Sequence, residues 1–134
     1  MPRWFPFAVI ALFGVYFPLA LWSQYSWVDS RPKGAIVVQL FTPFEMYGHV
    51  AVTQRTAAAL AAFADDETNR FDKRSPVVIY ENDRPLGPAH NSFAEIQEHG
   101  MGRFAVWRSQ GIAFSASDNS DPNKNGRTYW AVVP

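Results

Sequence analysis

The sequence predicts an α+β chain: one N-terminal transmembrane helix, then a small, mainly antiparallel sheet domain with one or two short helices. Three observations carry this. Residues 4–28 contain no Asp, Glu, Lys, Arg or His. Five later stretches are rich in β-branched and aromatic residues and are bounded by Pro, Gly, Asn or Asp. One of two helical stretches between them opens with a capping box. At 134 residues the chain is too short for two ordinary domains. Its 48% hydrophobic content stands beside a mean hydropathy of only -0.15, so the apolar residues must be concentrated, and they are concentrated in the first 28.

Those residues form the anchor. As a helix, 25 residues would span roughly 37 Å, enough for a hydrocarbon core of about 30 Å. Phe5, Phe7, Ile10, Leu12, Phe13, Val15, Phe17, Leu19, Leu21 and their neighbours contribute about −3 to −6 kcal/mol to insertion. Pro6 falls in the first turn, where its missing donor costs little; Pro18 lies inside the run and predicts a bend near Gly14 to Pro18. Trp4 at one end, with Trp22, Tyr25 and Trp27 at the other, supplies rings suited to the headgroup level. Gly14 allows one close helix approach. The alternative is a cleaved signal peptide with Arg3 as its charged start, but no A-x-A site follows before Asp29. Arg3 against Arg31 and Lys33 nearly balances for orientation, with a lean towards a domain outside the cytoplasm.

Residues 29–34 read as a polar Pro/Gly linker and residues 35–134 as one globular domain. In order, residues 35–41 predict a buried strand ending at Thr42-Pro43. The alanine-rich stretch 56–64 predicts a helix, and 76–81 a strand closed by the turn-forming 82–88. Ser92 and Glu95 form the capping box of a short helix over 93–99, stopped by Gly100. Residues 103–107 and 112–116 predict a hairpin, and 128–133 a last strand.

Twelve basic against twelve acidic residues leave no basic footprint for nucleic acid. The absence of cysteine excludes disulfides, Cys-ligated zinc and thiol catalysis. There is no G-x-S-x-G, phosphate-cradling loop or Rossmann fingerprint. His49, His90 and His99 lack ligand spacing, and Glu95 and His99, four apart, predict a surface ion pair rather than a metal or acid–base pair. Asp121-x-Asn123-x-Asn125-Gly126 matches the first half of a calcium loop. It fails at Val132, where the bidentate glutamate would stand, and Pro122, Lys124 and Arg127 oppose it. A rigid loop of side-chain to backbone bonds is expected there instead. No catalytic residue, metal or cofactor is expected, and the anchor holds no His for haem or chlorophyll.

The remaining candidates are binding residues. Alternation along strands should leave some of Trp107, Tyr129 and Trp130 exposed. Beside Arg103, Asp118, Asn119, Asp121, Asn125 and Arg127 they could meet a partner or a sugar.

Ser75-Pro76-Val77-Val78-Ile79-Tyr80-Glu81-Asn82-Asp83-Arg84-Pro85-Leu86-Gly87-Pro88-Ala89-His90, then Gly102-Arg103-Phe104 and Trp107, then 114–122 and Asn125-Gly126-Arg127, together resemble a small uncharacterised bacterial domain. That domain sometimes accompanies surface-polysaccharide glycosyltransferases or methyltransferases. The resemblance covers about 55 residues and implies a bacterial origin with glycan association, without any catalytic assignment; the anchor and residues 35–74 lie outside it, and with the anchor the expected location is the bacterial inner membrane. Two functions are expected. The first is a non-catalytic single-pass accessory or scaffold subunit docking on a larger membrane or envelope complex, redox and photosynthetic complexes included. The alternative is a membrane-anchored carbohydrate-binding module. Lipid bilayer, a larger membrane complex and glycan are the partners these imply.

Overall fold

The structure, a computed structural model, describes residues 3–26, 31–53 and 58–134, the side chains of 25 and 26 excepted. It divides into two compact units, residues 1–30 and 31–134. In the first, helix α1 (Phe5–Ser26) is apolar on all sides, and its large side chains are exposed throughout, from Phe5 to Trp22. A helix that is apolar all round needs a protein core or a lipid core around it. At 22 residues, roughly 33 Å, it is long and apolar enough to cross a membrane by length and composition. It runs unbroken through Gly14 and Pro18, so the expected loosening takes no residue out of the helix. A proline removes one donor and leaves the rest of the ladder in place. Trp4 and Trp22 are exposed near the two ends, and Trp27 lies outside the described residues.

The second unit is a sandwich of two four-stranded antiparallel sheets. One has the order β1 (Ile36–Leu40), β8 (Tyr129–Val133), β4 (Val78–Glu81), β5 (Arg84–Pro85). The other has the order β2 (Glu45–Tyr47), β3 (Val50–Val52), β7 (Gly111–Ser115), β6 (Phe104–Trp107). Alternate residues of both sheets meet between them: Leu40, Ile79, Tyr129, Ala131 and Val133 from the first, Ala51, Phe104, Val106, Ile112 and Phe114 from the second. Leu60 of helix α2 (Ala58–Ala61) joins this core; the helix expected over 56–64 ends at Ala61 instead of 64, and residues 56 and 57 lie outside the described residues. Beyond Ala61 the stretch offers only Ala64 to the core, while Phe63 is exposed, which is too small an apolar stripe to carry the helix on.

Helix α3 (Phe93–His99) lies on the outer face of the second sheet, packing Ile96 and Phe93 over Val50, Ala105, Ala113 and Trp107. Its capping box is formed: the Ser92 hydroxyl accepts from the Glu95 amide and the Glu95 carboxylate from the Ser92 amide. Glu95 therefore turns back to the helix start instead of pairing with His99. Both strands of the expected hairpin are present, and Gly111, with φ 89, begins β7 because any Cβ there would strike the Thr53 carbonyl.

Two features depart from expectation. The compact unit begins at Arg31, not at 35: Pro32 is buried, and Gly34 lies so close to Val132 and Val133 that a Cβ would not fit. The β2–β3 hairpin, joined through Gly48 at φ 66, adds a strand pair to the second sheet.

Candidate functional site

Two polar constellations stand out in the sandwich. The first forms around Glu81 at the end of β4. Its side chain faces the core side, opposite Tyr129 in register. The buried Glu81 carboxylate accepts from the Ser117 amide at 3.1 Å, the Ser117 hydroxyl at 2.7 Å and the Tyr129 hydroxyl at 3.1 Å, with the Arg127 guanidinium 3.4 Å away. Burial pushes Glu81 up, but the bonds from Ser117 and Tyr129 and the Arg127 charge outweigh it, so the carboxyl lies below its ordinary range. Burial, only partly offset by the bond from Asn125, pushes the Tyr129 phenol up to about 12.

Around this acid, Arg127 makes a two-pronged pair with Asp118 at 2.9 Å on each nitrogen, which holds the Asp118 carboxyl well below the usual range and raises Arg127. Asn125 donates to the Tyr129 hydroxyl and the Ser120 hydroxyl, and the Asp121 carboxylate accepts from the Asn123 amide. The Asn119 side chain accepts from the Met101 amide at 2.7 Å. Asn123 clamps Phe44 by both its amide and its carbonyl, at 2.7 and 3.0 Å. Among the described residues no buried side-chain nitrogen or oxygen lacks a partner, and no cluster of three or more potential metal-ligating side chains occurs. The loop over 117–127 is the network of local bonds expected of it.

The second constellation was not visible in the sequence. The segment after α2 lies along the outer edge of β6: the Asp65 amide donates to the Val106 carbonyl and the Arg108 amide to the Asp65 carbonyl, forming a parallel bridge between Asp65 and Trp107. The Asp65 side chain is then buried, accepting from the Ser75 amide at 2.8 Å and from His90 Nδ1 at 2.6 Å. His90 is 23% exposed and holds a left-handed backbone, φ 60. Asn91 fixes the next turn by donating to the Pro88 and Phe104 carbonyls.

This pair lines a cleft of about 730 Å³ between the 65–73 segment, the start of α3 and the edge of β6. Trp107, Phe93, Ala105 and Gln110 line it as well. Most acids around it are already committed. Asp66 accepts from Thr68 twice, which lowers its carboxyl, and Asp72 is gripped by Arg74 and held well below the usual range. Glu67 accepts from Ser109, and Glu95 caps α3.

The binding residues expected from sequence do not assemble into one platform. Trp107 reaches the cleft, on the outer face of the second sheet. Trp130 lies on the outer face of the first sheet, since its neighbours Tyr129 and Ala131 face the core. Tyr129 is 1% exposed, so it does not offer a surface ring; its hydroxyl serves Glu81. Arg103 donates to the Gly100 carbonyl behind α3, and Asp118, Asn119, Asp121, Asn125 and Arg127 belong to the Glu81 loop. His49, remote in sequence from the other histidines, donates to the Ile96 carbonyl at the end of α3.

The chain matches no protein-family model, no curated protein and no solved structure in the comparisons made.

Proposed function

We propose that the chain is a single-pass, membrane-anchored accessory protein that acts by binding rather than by catalysis, its sandwich domain docking on a larger membrane or envelope complex. The observation that carries this reading is the contrast between the two apolar surfaces and the network behind them. Helix α1 is apolar all round, as a lipid-embedded anchor must be. In the sandwich, register sets Gln39, Trp130, Tyr80 and Pro85 in one row on the outer face of the first sheet, beside Val37 and Val78, all half-buried or exposed. A half-exposed aromatic and aliphatic sheet face suits a protein partner, whose interface cores favour Trp and Tyr. The resemblance of residues 75–129 to a bacterial domain found beside surface-polysaccharide enzymes supports a bacterial origin, and the anchor then sits in the inner membrane, with the domain on its outer side by the lean of the flanking charges Arg3, Arg31 and Lys33.

The test is purification from the native membrane in mild detergent with quantitative mass spectrometry. A fixed-ratio set of larger membrane proteins that is lost in Trp130→Glu, with the variant still in the membrane fraction, is expected. Recovery of a solitary protein would contradict the docking role.

A second reading, an anchored carbohydrate-binding module, is favoured by one observation: a single cleft is lined by Trp107 and by the Asp65–His90 pair. Its volume lies in the range of small-molecule sites. The binding residues of this reading are Trp107 and the cleft groups, in place of Tyr129 and the 117–127 loop.

A further inference from the structure

We propose that the cleft binds an uncharged sugar ring, stacked on Trp107 and recognised through a hydroxyl that donates to His90 Nε2. This deepens the carbohydrate-binding reading and rests on it.

Asp65 is buried and spends one oxygen on the Ser75 amide, so its other oxygen fixes the His90 ring through Nδ1 at 2.6 Å. An imidazole that donates from Nδ1 to a carboxylate carries its free lone pair on Nε2 when neutral, and so presents an acceptor. Among the described residues Nε2 has no hydrogen-bond partner, and His90 lines the cleft. Trp107, whose backbone bridges to Asp65, lines the same cleft. An aromatic surface and a fixed acceptor in one cleft fit a pyranose, whose C–H face is apolar and whose rim is hydroxyl. Charge does not select the ligand, because the lining carries acids, Asp66, Glu67, Asp72 and Glu95, and bases, Arg70 and Lys73; the choice of an uncharged ring rests on the aromatic surface and the fixed acceptor.

The test uses the full chain in a detergent without a sugar headgroup. Saturation-transfer NMR is recorded with glucose, galactose, mannose, rhamnose and N-acetylglucosamine. At least one sugar is expected to show transfer concentrated on ring C–H protons. In His90→Asn the amide keeps a donor for Asp65 and suits the left-handed backbone, while the atom at Nε2 is gone. Affinity there should fall about fivefold or more, the worth of one hydrogen bond. Trp107→Leu, which keeps apolar packing and removes the flat ring, should lose the signal independently of Asp65, while Trp130→Leu should keep it. Transfer that persists in both cleft variants overturns the assignment of this site while leaving a sugar-binding domain standing. No transfer from any of the five sugars overturns both.

Discussion

The Glu81 and Asp65 clusters are built from similar parts, a buried carboxylate fed by a backbone amide and a side-chain donor, yet one is closed and the other open. Glu81 receives Ser117 twice, Tyr129 and the Arg127 charge, and these partners are engaged with Asn125 and Asp118. Asp65 receives Ser75 and His90, and the chain of bonds ends at a ring nitrogen lining a cleft. A network whose members satisfy one another fixes loops and core together; one that ends in an unspent acceptor has capacity left for a ligand. The Asn- and Asp-rich 117–127 loop marks the closed cluster in the sequence, whereas the open cluster has no local sequence mark.

The contrast is broken most sharply at Glu81. Glu81→Ala removes the acceptor of three donors and is expected to lower stability by about 3 kcal/mol in denaturant melts. Because the folded-state carboxyl lies below its ordinary value of 4.5, its contribution is fully present above that pH and is lost as pH falls through the folded-state value. In Glu81→Gln the acid-side loss of stability should be shallower, and an unchanged acid limb would contradict the closed-network account. Tyr129→Phe, which withdraws a buried hydroxyl from Glu81 and Asn125, should cost about 2 kcal/mol. It should also remove from the phenolate absorbance titration the tyrosine that ionises near pH 12. Asp121→Ala should cost about 1 kcal/mol through its lost bond to the Asn123 amide, with no calcium dependence of the melting temperature. A calcium-dependent shift in the wild type that disappears in the variant would turn that loop into a metal site. The smallest effect belongs to the open cluster: His90→Asn should shift stability by no more than about 0.5 kcal/mol, since Asp65 keeps a donor. A loss as large as that of Glu81→Ala would make the second cluster structural too.

The fold was legible wherever a local signal sufficed. Ser92 and Glu95 announced α3 because both halves of a capping box lie within four residues, and the 104–107 and 111–115 strands were bounded by a turn ending in Gly111. The β2–β3 hairpin has no legible signal, because three-residue strands around Gly48 show no period long enough to recognise. Its place depends on pairing with β7, more than sixty residues on. The Asp65–His90 pair was illegible for the same reason: the two residues are joined across 25 positions by an edge bridge to β6, and no spacing rule encodes an edge bridge. Trp107 is legible as an aromatic on a strand, but what covers its outer sheet face, the α3 residues Phe93 and Ile96, is not.

Anchoring, the central feature of the proposed function, requires that α1 stay on the protein. The most direct measurement is peptide mapping, by mass spectrometry, of the protein recovered from washed native membranes. Retention of the α1 peptides, residues 5–26, in the membrane-bound chain is the predicted result. A soluble chain that begins beyond Leu21, with no α1 peptides in either fraction, would make the helix a cleaved targeting segment and contradict the account.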